Sequence, residues 1–294
     1  SQERMLIVAR KGREKEVVEI FNKWDLDAVV IGKVVEGDRL KIIHNGEVAA
    51  DLPVMALTDE APKYERPMSQ SVRHGDTENE RHGESLISAS PRQDVAASLK
   101  QLLASPNIAS KHWVYEQYDS MVRTNTAVLP GADAAVIRVK ETRRAIAMCL
   151  DGPGRFVAVD ALEGAKHAVA EAARNVACVG ARPIAVTNCL NFASPERPEA
   201  MRSFSDVIDG MAEACEAFET PVVSGNVSFY NETDGKGILP TPTIGMVGLI
   251  EDIRKVITQG FKNDGDTIAL LGSTGDDLSV SEFAAAVAGL TTAD

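Results

Sequence analysis

Two polar strings carry the residues best suited to chemistry, and each follows a short apolar run. They are Val186-Thr-Asn-Cys-Leu-Asn-Phe192 and Thr220-Pro-Val-Val-Ser-Gly-Asn-Val-Ser-Phe-Tyr-Asn-Glu-Thr233. The apolar starts read as buried strands. The switch to small polar residues then sets amides, hydroxyls and backbone N–H groups at a strand's carboxyl end, where α/β proteins bind ligands. Asn188, Asn191, Gly225, Asn226 and Ser228 are uncharged, so they can meet phosphates or a metal's water shell without repelling an anion. Gly225 permits a tight turn or close backbone approach, and Asn226 and Ser228 project to one side if the chain is extended. Asn188, just past its strand, can then face the same cleft as Asn226. Two readings stay open here: contacts to a nucleotide, metal or substrate, or turns in which Asn and Ser only cap backbone groups. Neither a GK[ST] phosphate loop nor Gly-x-Gly-x-x-Gly is present.

Weaker candidates surround these strings. Asp151, in Asp151-Gly-Pro-Gly154, and Asp160 stand at expected strand ends, where a carboxylate holds Mg2+ or simply shapes a turn. Lys166 and Arg174 share a helix with Glu163 and Glu171, so they either meet a phosphate or join a salt-bridged, solvated face. The segment 118–126 mixes Arg123, hydroxyls and an amide, as a phosphate-binding wall would. Cys189 has no His near it in sequence and nothing that signals a depressed pKa, which disfavours a nucleophile. The four cysteines form no CxxC pair and lack His at zinc spacing; Cys178 and Cys215 read as buried thiols in apolar helical patterns. His74 and His82 fall in a polar stretch that preorganises nothing.

The elements that must position these residues follow from periodicity. Strands are expected at 5–10, 28–35, 39–44, 47–50, 145–150, 155–160, 184–187, 221–224, 242–250 and 267–272. Helices are expected at 12–24, 163–179 and 198–218. Asn45-Gly46 signals a hairpin turn, and Gly180 is placed to close the alanine-rich helix before it. Composition shifts at Thr58. From there to Ser110 the chain is polar and proline-containing, a linker expected to be mobile around 69–90. The first 50 or so residues resemble half of an α+β sandwich, and the chain opens without Met and stops in helix-like sequence. Both ends are therefore expected to be truncated, within a longer protein. The expected fold class is a mixture of α+β and α/β, with sheets packed against helices.

Bulk properties set outer limits. A chain of 294 residues favours about two domains. Its 44% hydrophobic content supports a packed core, and a net charge of −12 argues against a general nucleic-acid or anionic-membrane surface. No signal peptide or membrane-length apolar run occurs, which points to a cytoplasmic protein.

The strings SQERML, YDSMVRTNT, PGADAAVIR, AVAEAARNVACVGARP, VTNCLNF, SGNVSFYNET and PTPTIGMVGLIED together resemble one family. That family is phosphoribosylformylglycinamidine synthase, in the form of the synthetase subunit of the multi-subunit bacterial type, within the aminoimidazole-ribonucleotide-synthetase-like superfamily. The resemblance covers 1–57 and about 112–294. It implies that 1–57 is the C-terminal part of a first unit's second domain and 58–111 a polar linker. It makes 112–252 the N-terminal-type domain of a second unit and 253–294 the start of a final C-terminal-type domain.

The implied enzyme is an ATP- and Mg2+-dependent amidoligase of de novo purine biosynthesis. It activates the formyl amide oxygen of formylglycinamide ribonucleotide by phosphorylation. Ammonia from a glutaminase subunit then displaces phosphate, and a small accessory subunit completes the assembly. By resemblance, Ser1, Gln2 and Ser228 contact substrate, Gly225 and Asn188 contact ATP, and Asn226 is a Mg2+ ligand. Some relatives carry Asp at the position of Asn188. The family's catalytic His and carboxylate ligands are expected outside this chain, so the fragment alone is expected to be inactive. The alternatives are a non-catalytic scaffold half, with structural nucleotide binding and partner docking, or another ATP-using member such as a selenophosphate-synthetase-like kinase.

Overall fold

Asn45 (φ 50°) and Gly46 (φ 86°) both take positive φ, the conformation that closes a two-residue hairpin with the twist of its strands. The computed structural model describes residues 5–70, 94–273, 278 and 280–289. It divides into two units, 1–64 and 65–294. In the first, helix α1 (Glu14–Asn22) precedes the hairpin of β1 (Arg39–His44) and β2 (Glu47–Pro53), and α2 (Val54–Leu57) follows. β1 and β2 pair antiparallel, with an irregularity between Ile42 and Ile43. The expected strands at 5–10 and 28–35 are not formed. An apolar run becomes a strand only when another segment takes up its N–H and C=O groups, and here none of the described residues does.

The second unit opens with an unexpected helix. α3 (Val95–Ala104) lies inside the stretch read as linker, and Asp94 caps it by accepting from the N–H groups of Ala96 and Ala97. Polar flanks hid a local start signal, an Asx cap before Val95, Leu99, Leu102 and Leu103. Most of the segment expected to be mobile, with His74 and His82, lies outside the described residues. A short helix α4 (His112–Tyr115) leads into the sheet.

The sheet uses β3 (Thr126–Val128), β4 (Ala135–Arg138), β5 (Ala145–Asp151), β6 (Arg182–Asn191) and β7 (Val222–Ser228). A small hairpin of β8 (Glu232–Thr233) and β9 (Lys236–Gly237) follows, and then the central strand β10 (Thr241–Ile250). Strand order is β3-β4-β5-β10-β6-β7. Only β6 and β7 run parallel, and their crossover is a helix, as parallel strands require.

Helices α5 (Gly154–Val159), α6 (Ala161–Cys178) and α7 (Pro198–Ala217) belong to this unit, with α8 (Glu282–Ala286) near the end of the described chain. Buried Ala165, Ala168, Val169, Ala172 and Val176 form the helical stripe of α6. They join the core that contains Ala145, Ala147, Val186, Leu190, Ile244 and Met246 from the sheet and Val207 and Met211 from α7. Small side chains on α6 allow close helix–sheet packing, and burial of each larger aliphatic contributes about 1.5–3 kcal/mol. After Cys178 the N–H of Ala181 bonds to Val176 O and that of Gly180 to Ala177 O, with Gly180 at φ 89°. This is the double-bonded glycine stop expected of the sequence.

One expected strand has become a helix. Residues 155–160 carry a short apolar run like a buried strand, yet Gly154–Val159 is α5, and Asp160 caps α6 by accepting from Glu163 N at 2.9 Å. The cause lies in packing. A Cβ on Gly164 of α6 would stand 2.5 Å from Val157 N, so the glycine lets the α5 backbone lie directly on α6. That cap engages one Asp160 oxygen at the start of α6, the turn-shaping role open to it. The expected strand at 267–272 has no ladder either. Cys215 is buried as expected, but Cys178, on the last turn of α6, is exposed. Among the described residues no helix is long and apolar enough to cross a membrane.

Candidate functional site

The polar strings do not follow their strands; they are the strands. β6 extends through Asn191 and β7 through Ser228, and the two pair in register, Asn188 with Gly225, Cys189 with Asn226, and Asn191 with Ser228. Side chains alternate across a sheet, so each in-register pair shares a face. Cys189, Asn191, Asn226 and Ser228 therefore lie on the face away from α6 and α7. Thr243 and Thr241 of β10 join them, opposite Cys189 and Asn191. The Asn191 amide donates to Cys189 O at 3.0 Å and Thr241 O at 3.2 Å, and the Cys189 thiol lies 3.7 Å from Asn191 Oδ1. The result is a band of neutral hydroxyls, amides and one thiol near the carboxyl ends of two parallel strands.

Asn188 departs from the expected common cleft. It pairs with Ile244 of β10 and with Gly225 of β7, on the face that carries the helix-packed core. A Cβ at Gly225 would lie 2.0 Å from Asn188 Oδ1, so the absence of a side chain there makes room for the carboxamide. Gly225 is thus a close-approach glycine within β7, not a turn residue, and Asn188 and Asn226 stand on opposite faces. Ser1 and Gln2 lie outside the described residues.

The end of the site is built by the loops after β6 and β7. Asn231 Nδ2 donates to Phe192 O (3.0 Å) and Ser228 O (2.8 Å), and the Phe192 N–H donates to Ser228 O (2.9 Å). Beneath them Phe192, Phe204 and Phe229 pack edge-on or tilted, with ring centroids 5.1–6.3 Å apart. Glu232 accepts from Ser194 N (3.0 Å) and pairs with Arg197 (3.1 Å), whose guanidinium also reaches Gly235 O (2.6 Å). Sequence reading passed over Asn231, Glu232 and Arg197. Their signal, an Asn three residues after Ser228, is too common to stand out.

On the helix face, Asp151 ends β5. Its Oδ1 accepts from Asn175 Nδ2 at 2.9 Å, whereas its buried Oδ2 has no partner among the described residues. Burial, followed by the charge of Asp151, raises the pKa of Glu171; Arg174 and His167 oppose that rise. Cys149 donates to Ala172 O, and burial together with Asp151 pushes its thiol up to about 12. Lys166 sits between Glu163 (2.8 Å) and Glu213 (2.7 Å), the salt-bridged alternative to a phosphate contact. The 118–126 segment borders a separate cavity of about 490 Å³ with Arg138, Ile253 and Val256, and there Arg138 donates to Thr124 O.

The donor set can be tested against a nucleotide and its ion. Among the described residues no cluster of three His, Cys, Asp or Glu side chains could hold a metal. Asn226 offers a single neutral oxygen donor, which suits a Mg2+ ion that keeps its waters and is held chiefly by phosphate oxygens. Exposed backbone at Gly225 and a neutral face suit an anionic ligand. The fit is that of one wall, not of a self-sufficient metal cage.

Family models place the class. The model for the AIR synthase related protein N-terminal domain matches residues 131–250, which hold β4 to β10 and α5 to α7, and the corresponding C-terminal domain model matches residues 1–45. These two segments are similar to the AIR synthase-related family. Within it, the similarity is to one kind of enzyme subunit. Phosphoribosylformylglycinamidine synthase subunit PurL of Anaeromyxobacter sp. (strain Fw109-5) is 50% identical over 291 residues, 97% of this chain and 37% of the relative. The chain thus spans little more than a third of that relative's length. Among solved structures, PurLQS from Thermotoga maritima matches with a TM-score of 0.64 at 27% identity, covering 86% of this chain and 39% of the other. T. maritima PurL complexed with ATP matches at 0.61 and 27% identity over 85% of this chain and 38% of the other.

Proposed function

We propose that this chain forms part of an ATP-dependent amidoligase that converts formylglycinamide ribonucleotide and ammonia to the amidine, with release of ADP and phosphate, in purine biosynthesis. The observation that carries this reading is the 50% identity over nearly the whole chain to subunits bearing that enzyme's name. Solved T. maritima PurL complexed with ATP and with FGAR supports the ligand classes, and the PurLQS structure supports work within a larger assembly. The glutaminase and small accessory subunits are the proposed partners, in the cytoplasm. The proposed domain boundaries remain 1–57, 58–111, 112–252 and 253–294.

In this reading Asn226 supplies one oxygen to a hydrated Mg2+, Gly225 brings backbone against ATP, and Ser228 meets the substrate. ATP with its ion, when bound, supplies phosphoryl activation of the amide oxygen. The chain's own residues bind and orient: donors fixed on paired strands need no reorganisation at the moment of reaction. Asn188, on the other face from Asn226, is proposed as an ATP contact by resemblance alone, its carboxamide lying beside Gly225. Ser1 and Gln2 are proposed as substrate contacts by resemblance alone.

The test is substitution in the complete synthase carrying this sequence, with ammonium as nitrogen donor. Asn226→Ala is expected to raise the Mg2+ concentration needed for half-maximal rate, and Ser228→Ala to raise KM for the ribonucleotide. Unchanged metal and substrate dependence in both would remove these residues from the site.

A further inference from the structure

Asn231 stands out because its carboxamide is committed on both sides. Its Nδ2 lies 2.8 Å from Ser228 O and 3.0 Å from Phe192 O, nearer than the 3.2 Å to Ser228 Oγ, so its two hydrogens go to the carbonyls of the chains that leave β6 and β7. With both hydrogens directed to carbonyls, its Oδ1 is the atom free to accept, and the Ser228 hydroxyl lies 3.3 Å from it. The main chain holds the residue in place. Asn231 N donates to Phe192 O at 3.2 Å, Tyr230 N to Ala193 O at 3.2 Å, and Ile238 N to Asn231 O at 3.0 Å. Tyr230 takes φ 61°, a left-handed conformation that a bulky residue adopts only when its surroundings impose it. That reversal is what returns Asn231 to Ser228. The Glu232–Arg197 pair then fastens the next residue to the loop after β6.

We propose that Asn231 is a positioning residue for Ser228: it takes the hydroxyl's proton into a hydrogen bond and turns the oxygen's lone pairs outward. Ser228 is then an acceptor, and the ligand group it recognises is a donor, an amide N–H or a sugar O–H rather than a phosphate oxygen. This inference rests on the proposed substrate contact at Ser228. It adds the direction of that contact and the residue that sets it. A phosphate would instead need the serine to donate, in competition with Asn231 Oδ1.

A cycle of Ser228→Ala, Asn231→Ala and the double variant in the complete synthase, with ammonium as nitrogen donor, tests it. Melting temperature serves as the check on folding. One neutral hydrogen bond misdirected at a binding site is expected to raise KM for the ribonucleotide roughly fivefold to tenfold in either single variant. The values of kcat and of KM for ATP should stay close to wild type, and the double variant should be no worse than Ser228→Ala. Asn231→Asp, which keeps the size and an acceptor oxygen but loses both N–H donors, should lower the melting temperature and raise KM as Asn231→Ala does.

If Ser228→Ala raises KM while Asn231→Ala leaves it unchanged, the positioning role is overturned and the substrate contact stands. Additive effects in the double variant, or a fall in melting temperature with no change in KM, also overturn it. If Ser228→Ala itself leaves KM unchanged, the substrate contact fails and the positioning role falls with it. A further arm compares inorganic phosphate as a competitive inhibitor: inhibition weakened by Ser228→Ala would show a donating serine and overturn the assigned direction.

Discussion

Asn188 and Gly225 pair across the parallel strands β6 and β7, and the asparagine's Oδ1 lies 2.0 Å from where a Cβ on the glycine would begin. The glycine is required by its neighbour's side chain rather than by its own backbone angle. Gly225→Ala is therefore expected to lower stability by about 1–3 kcal/mol, the usual cost of overpacking. Adding Asn188→Ala should restore part of that loss in chemical denaturation. Full additivity of the two changes would show that the carboxamide is not the obstacle.

Gly164 presents the same situation between helices. Its added methyl would meet the backbone of Val157 at 2.5 Å, and backbone cannot swing aside as a side chain can. Gly164→Ala should cost about 1–3 kcal/mol or displace α5, read as a lower denaturant midpoint. An alanine variant as stable as the parent would contradict the contact.

The thiols should separate by environment. Cys178 is exposed and Cys215 buried, and the Cys149 thiol is pushed up to about 12 by burial and Asp151. At pH 8 a disulfide reagent should modify Cys178 first, because the thiolate is the attacking species and access is open. Cys149 and Cys215 should react only on unfolding. Mass mapping of the labelled peptides decides it, and early labelling of Cys149 would count against the assigned burial.

Glu282 sits among three donors. Ser105 and Asn107 precede the sheet, and Arg155 of α5 reaches it at 2.5 Å. Hydrogen bonds from Ser105, Asn107 and Arg155 hold its carboxyl down at about 2, against an ordinary 4.5. A carboxyl depressed in the folded state adds stability above its unfolded value, and the contribution disappears as pH falls through the folded one. The melting-temperature gap between the parent and Glu282→Gln should thus be constant above about pH 5 and close between about 4.5 and about 2. A gap that persists at low pH would mean the interaction does not need the charge.

Much of the second unit was legible because its signals are local. The alanine stripe and Gly180 stop of α6, the full length of α7, and β10 each carry their pattern within one window. Failures came where a remote partner decides. The 5–10, 28–35 and 267–272 runs have strand composition but no ladder, and the apolar run at 155–160 yields to packing over Gly164. For the site, residue types were readable at Gly225, Asn226 and Ser228. Asn231 was not, because its role depends on the Tyr230 reversal and on carbonyls from another strand.

By itself the sequence determined which residues are small, polar and neutral near two strand ends, where the main helices of the second unit lie, and a resemblance specific enough to point to one enzyme family. Only the tertiary structure decided which of those residues face each other. Side chains alternate across a strand, so pairing register assigns each one a face. That register sets Asn226 and Ser228 together, sends Asn188 to the other side, and gives Gly225 its reason to lack a side chain.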